Sequence, residues 1–201
     1  MKTLRGERMK YTGIDSNKKD IDITRGDIRI RSMTDKDFPL MLKWLTDGRV
    51  LEFYAGRDTR YSFETIKSHY SEVWDTVYYR VIFEYKGDAI GYGQIYKLYG
   101  DLYKEYHYPQ NGKTVFAADQ FIGEPEYWGR GIGTKYMQIV LDFLKTVENA
   151  DAVILDPHKS NARAIRAYEK AGFKIIDELP EHELFEGERV DCYLMEFNTF
   201  S

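Results

Sequence analysis

Between Val115 and Leu144 the chain carries a run that constrains everything folded around it, centred on Asp119-Gln-Phe-Ile-Gly-Glu-Pro-Glu-Tyr-Trp-Gly129-Arg-Gly131-Ile-Gly133-Thr134. A β-type stretch ends near Ile122, glycines follow, and Met137, Val140, Leu141 and Leu144 then recur at helical spacing. The first turn of a helix has N–H groups without an internal partner and the positive end of the helix dipole, and glycine lets main chain approach an anion closely. Strand, glycine turn and helix in this order therefore suit a phosphate. Such turns also serve packing alone, and the pattern does not choose between the two. Two familiar phosphate motifs fail on spacing. A dinucleotide fingerprint begun at Gly129 needs a glycine where Thr134 stands, and Gly133-Thr134-Lys135 has the wrong order for a Walker loop.

The other elements place this unit in an α/β (α+β) domain. Ile28 and Ile30 alternate with arginines in a first strand, and Thr34 with Asp37 forms a capping box ahead of the stripe Phe38, Met41, Leu42 and Leu45. Val50 to Asp58 reads as a loop, and a helix after Ser62 turns Ile66, Tyr70 and Val73 inward. Strands at about Val77 to Tyr85 and Ala89 to Tyr99 meet at a Lys86-Gly87-Asp88 turn. Beyond the glycine unit come a buried strand, Ala152 to Leu155, and a helix from Asn161 that ends at Gly172. Two closing strands, Phe173 to Asp177 and Val190 to Phe197, flank the acidic stretch Glu178 to Glu188. Residues 1–26 are polar and read as an extension, which leaves 27–201 as one domain.

With 201 residues, a net charge of −4 and a pI near 5.7, a nucleic-acid binder with a basic face is not expected. No apolar run is long enough to span a membrane. A single cysteine, Cys192, excludes an internal disulfide, and the cytoplasm is the expected compartment. His69, His107, His158 and His182 are scattered without ligand spacing, so no metal is expected. No histidine stands near Cys192 in sequence, which argues against a cysteine nucleophile. Tyrosines and acids interleave from Tyr92 to Tyr108, including Asp101. That pattern suits a polycationic ligand, or equally a half-buried hairpin rich in tyrosine.

The segment Trp128-x-x-Gly131-x-Gly133 resembles the acetyl-coenzyme A loop of the GNAT superfamily of N-acetyltransferases, with Trp128 a departure from the family's usual Gln or Arg. Asn161 to Phe173 is similar to its second signature. Phe38-Pro-Leu-Met-Leu-Lys-Trp-Leu, Val50-Leu-Glu-Phe-Tyr54, Ile90-Gly-Tyr-Gly-Gln94 and Ile154-Leu-Asp-Pro-His resemble the aminoglycoside 6′-N-acetyltransferases, over about Asp27 to Phe197. The strongest likeness is to the acetyltransferase half of the bifunctional acetyl/phosphotransferase of Gram-positive cocci.

The resemblance implies a GNAT fold: a mixed central sheet of about seven strands, splayed at an acetyl-CoA site, with helices on both faces. It implies that acetyl-CoA is held by Gln120, Phe121, Ile122, Trp128, Gly129, Arg130, Gly131, Ile132, Gly133, Thr134 and Asn161. Asp119 matches the active-site carboxylate, and Tyr168 lies near the thioester sulfur. The aminoglycoside contacts carry over to Tyr54, Tyr70, Asp75, Gln94, Asp101, Asp119 and Asp156. A carboxylate is a much weaker base than an amine, so Asp119 is read either as a proton acceptor or as an electrostatic anchor. Tyr168 is equally a core residue or an acid for the departing thiolate. A polyamine or protein N-terminal acetyltransferase and a non-catalytic acyl-CoA sensor are the alternatives, and the sequence carries no statement of oligomeric state.

Overall fold

The computed structural model describes residues 20–71 and 78–199. Two strands open the chain, β1 (Asp22–Arg25) and β2 (Ile28–Ser32). After the Thr34 cap, whose N–H donates to the Asp37 carboxylate at 2.8 Å, come α1 (Phe38–Trp44), α2 (Gly48–Leu51) and α3 (Phe63–Tyr70). A hairpin follows, β3 (Tyr78–Tyr85) and β4 (Asp88–Lys97), its turn made by Lys86 and Gly87 at positive φ. Then come α4 (Leu102–Glu105), β5 (Val115–Ile122), α5 (Ile132–Thr146), β6 (Ala152–Leu155), α6 (Ala162–Ala171), β7 (Lys174–Phe185) and β8 (Glu188–Asn198).

The strands form one mixed sheet of order β1-β2-β3-β4-β5-β6-β8-β7. Among the described residues only β5 and β6 run parallel, joined by the α5 crossover. Side chains alternate between faces, so Val81 and Phe83 pack with Met137, Val140 and Leu144 of α5, whereas Ile82 packs on the opposite face with Met41 and Trp44 of α1 and Ile66 of α3. Helices therefore cover both faces, as the resemblance implies.

Three expectations change. The sheet has eight strands, because Asp22–Arg25, inside the stretch read as extension, pairs antiparallel with β2. The acidic stretch Glu178 to Glu188 is mostly strand: β7 runs to Phe185 with its register broken between Leu179 and Glu183. Glu178 and Glu181 face solvent on this edge strand, where charge deters pairing with another chain, while Glu183 is turned inward. The tyrosine-rich segment is neither an open ligand face nor a simple hairpin. Tyr96, Tyr103, Tyr106 and Tyr108 are buried against Ala117, Ile154 and Leu194, and the Tyr96 and Tyr106 hydroxyls share a hydrogen bond of 2.6 Å.

Candidate active site

β5 pairs with β6 only from Val115 to Ala117; beyond that the strands part, and the main chain of Ala118 to Ile122 borders a cleft on that side. The cleft has a volume of about 360 Å³ and continues past the glycine turn to α6. Gly131, at φ 74°, caps α5 in the left-handed region that a Cβ would strain, and Ile132, Gly133 and Thr134 of the first turn, where N–H groups lack a helical partner, line the opening. Trp128 ties the turn back to the strand: its indole N–H donates to the Ile122 carbonyl at 2.8 Å. Across the opening, the Arg163 guanidinium lies 4.2 Å from the Trp128 ring centre and 4.3 Å from that of Phe53. Burial between those rings lowers the Arg163 pKa from its ordinary value, without removing the charge. Arg166 and Lys170 follow Arg163 along the cleft side of α6, so this end is cationic.

The other end is anionic. Asp119 is buried at 6% exposure on the face of β5 opposite α5, in the gap between the core under α1–α3 and the one under α4. Gln94, its cross-strand partner, donates to its Oδ2 at 2.7 Å. The Gln94 carbonyl oxygen in turn accepts from the Tyr78 hydroxyl at 2.9 Å and the Tyr92 hydroxyl at 3.3 Å. Asp156, just past β6, is 3% exposed, and His182 Nε2 lies 3.3 Å from its Oδ2 without hydrogen-bond alignment. His158 Nε2 sits 2.7 Å from Glu183 Oε2. Three carboxylates thus line one end of the cleft.

Most of the expected residues are brought together here. Tyr54, Asp119, Gln120, Phe121, Ile122, Trp128, Gly129, Gly131, Ile132, Gly133, Thr134, Asp156, Asn161 and Tyr168 all line the cleft. Asn161 spends its Oδ1 capping α6, accepting from the Ala164 N–H at 3.1 Å, which leaves its Nδ2 to meet a ligand. Four do not line it. Arg130 turns its guanidinium over the Tyr127 ring, 5.2 Å from the centre. Tyr70 packs edge-on against Tyr92 in the core, 5.3 Å between centres. Gln94 is spent on Asp119. Asp101 is solvated, 93% exposed, and pairs with Lys104 one turn on, because it precedes a surface helix rather than a strand end. Asp75 lies outside the described residues.

Sequence reasoning missed Phe53, His158, Arg163, Arg166, Lys170 and Glu183, all of which line the cleft. The cations were legible, since positions 163, 166 and 170 share a helix face by their spacing. His158 and Glu183 were not, being 25 residues apart. A histidine distant in sequence does stand beside Cys192 in the fold: His158 is its backbone bridge partner. Cys192 is nonetheless fully buried and outside the cleft lining, which keeps its thiol from an acyl donor.

Residues 33–180 match the family described as acetyltransferase (GNAT) domain. The chain is 29% identical over 154 residues to an aminoglycoside N(6′)-acetyltransferase type 1 of Klebsiella pneumoniae, covering 73% of this chain and 74% of that one. It is 26% identical over 153 residues to the spermine/spermidine N(1)-acetyltransferase of Bacillus subtilis (strain 168), covering 74% and 94%. An aminoglycoside acetyltransferase, AAC(6′)-Ib, solved with coenzyme A and kanamycin shares the fold at a TM-score of 0.64 and 24% identity, over 86% of this chain and 95% of that one. A mixed sheet splayed beyond Ala117, a glycine-turned helix start at the splay and a family match over most of the chain together make this protein a member of the GNAT acetyltransferase family.

Proposed function

We propose that the protein transfers an acetyl group directly from acetyl-CoA to the 6′-amine of aminoglycoside antibiotics, an activity that confers resistance. The observation carrying this reading is the opposed charge of the two ends of one cleft. The start of α5 with Arg163, Arg166 and Lys170 suits a pyrophosphate, and Asp119, Asp156 and Glu183 suit a polycationic acceptor. The cradle fits the coenzyme: at Gly133 a side chain would project into the space beside Gln120 and Ile122.

When bound, acetyl-CoA supplies an activated thioester carbonyl. The main chain at Gln120, Phe121 and Ile122, on the side of β5 that β6 leaves unpaired, would hold the pantetheine arm, and an N–H at Gln120 or Phe121 would stabilise the oxygen that gains negative charge. Asp119, fixed by Gln94, receives the acceptor's ammonium group and either takes its proton, so that the free amine attacks the thioester carbonyl, or serves as counter-charge to the positive charge the amine nitrogen develops as it attacks. Asp156, with Glu183 beside it, anchors a second ammonium group, and Tyr54 contributes an aromatic wall. Tyr168, 8% exposed in the cleft wall, stands as donor to the departing thiolate.

A polyamine acetyltransferase is the second reading, favoured by the likeness to the B. subtilis enzyme. The deciding experiment gives purified protein acetyl-CoA with kanamycin, tobramycin or spermine, follows thiol release and locates the new acetyl group. Release with kanamycin and acetylation at the 6′ position supports the proposal. Release with spermine alone abandons it.

A further inference from the structure

We infer that His158, Glu183 and Cys192 form a binding site for a borderline-soft divalent metal ion, of which Zn²⁺ is the type, in the wall of the cleft. A nitrogen of His158, a carboxylate oxygen of Glu183 and the sulfur of Cys192 all lie within 4.8 Å of one another. Tetrahedral zinc with ligands at about 2.0–2.3 Å holds its donor atoms roughly 3.3–3.7 Å apart. His158 and Glu183, now at 2.7 Å, open by less than about 1 Å to admit the ion, and the sulfur, within 4.8 Å of both, closes by at most roughly 1.2 Å.

The backbone builds this cluster deliberately. His158 and Cys192 face each other across an antiparallel bridge, flanked by Tyr193 N–H to Pro157 O and Lys159 N–H to Asp191 O, both 3.0 Å. Glu183 arrives from β7 only because that strand is bulged. Leu179 pairs with Cys192 and Glu183 with Val190, so the one residue between them on β8, Asp191, is opposed by three on β7, Pro180, Glu181 and His182. Glu181 takes φ 48° inside the bulge, and its N–H is held by the Asp191 carboxylate at 3.0 Å. A bulge of this kind re-aims side chains, and here it turns Glu183 inward to 8% exposure on an otherwise solvated edge strand.

Imidazole, carboxylate and thiolate are a set that selects zinc, cobalt or nickel over magnesium or calcium, which prefer oxygen. His158 and Glu183 line the cleft and Cys192 lies behind them, so the ion has a path of entry and a fourth position open to the cleft. Binding displaces the thiol proton to solvent, and the His158 nitrogen that takes the ion gives up its contact with Glu183. Acetyl transfer needs no such ion. A dication in this wall cancels part of its negative charge, so metal and polycationic acceptor oppose each other.

The test is a titration of chelator-treated full-length protein with Co²⁺, then Zn²⁺, read by absorbance and not by turnover. The site predicts one equivalent of Co²⁺ bound with proton release, giving a thiolate-to-cobalt charge-transfer band and the visible bands of tetrahedral cobalt, all of which are lost when Zn²⁺ displaces the cobalt. Cys192→Ala removes the band, and Glu183→Gln weakens binding by more than about 10-fold. Circular dichroism establishes that each variant is folded; should Cys192→Ala fail to fold, His158→Gln, at the cleft surface, tests the site by weakened Co²⁺ binding. Cobalt bound without a thiolate band, or bound as tightly by the variants as by the unaltered protein, overturns the site.

Discussion

Gln94 and Asp119 face each other across the β4–β5 ladder, and the amide of the first donates to the carboxylate of the second at 2.7 Å. Because the Gln94 oxygen is held by Tyr78 and Tyr92, its NH₂ is the group left to face Asp119, so the carboxylate is oriented by the sheet itself. Asp119→Ala is expected to lower kcat by about 100-fold or more, and Gln94→Ala by about 10-fold, with coenzyme affinity unchanged in both. Asp101→Asn, altering a solvated side chain, should change neither. Steady-state kinetics beside calorimetric coenzyme binding separates these; a normal kcat in Asp119→Ala removes it from the chemistry.

The cationic face of α6 predicts a salt-sensitive coenzyme affinity. Arg166→Gln with Lys170→Gln should weaken coenzyme A binding by about 10-fold at low ionic strength, worth about 1.4 kcal/mol, and flatten its salt dependence. Parallel salt curves for variant and parent would place the phosphates elsewhere.

Gly133 and Gly123 separate ligand space from packing space. A Cβ at Gly133 would meet Gln120 and Ile122 at 3.8 and 3.9 Å, ordinary contact, so Gly133→Ala should keep its melting temperature yet bind coenzyme A less tightly. A Cβ at Gly123 would fall 2.1 Å from the Trp44 ring, and Gly123→Ala should cost about 1–3 kcal/mol by thermal unfolding. Unimpaired coenzyme binding by Gly133→Ala would show that nothing docks against that turn.

Burial, helped by the nearby Arg80 guanidinium, lowers the pKa of His69 to about 4 from 6.5. Folding therefore favours the neutral ring. Its contribution is complete above about pH 6.5 and is lost as pH falls toward 4, by at most about 3 kcal/mol and less for a ring partly exposed. Denaturant unfolding of the parent and of His69→Gln across that window should show a shallower pH slope in the variant. Equal slopes would assign the acid sensitivity to other groups.

Sequence periodicity by itself determined the strand–turn–helix at the centre, both capped helices of the first half and the Lys86-Gly87 hairpin, because these depend on neighbours within a few residues. The buried faces of α5 and the cap at Gly172 were legible for the same reason. Tertiary structure alone decided the rest. It enclosed Tyr96, Tyr103, Tyr106 and Tyr108 in a core, left Asp101 in solvent and set Gln94 against Asp119. It joined β1 to the sheet edge and, through the β7 bulge, carried Glu183 to His158 and Cys192. Strand order and register bring together residues far apart in the chain, and no local pattern records which strand another will pair with or where its ladder slips.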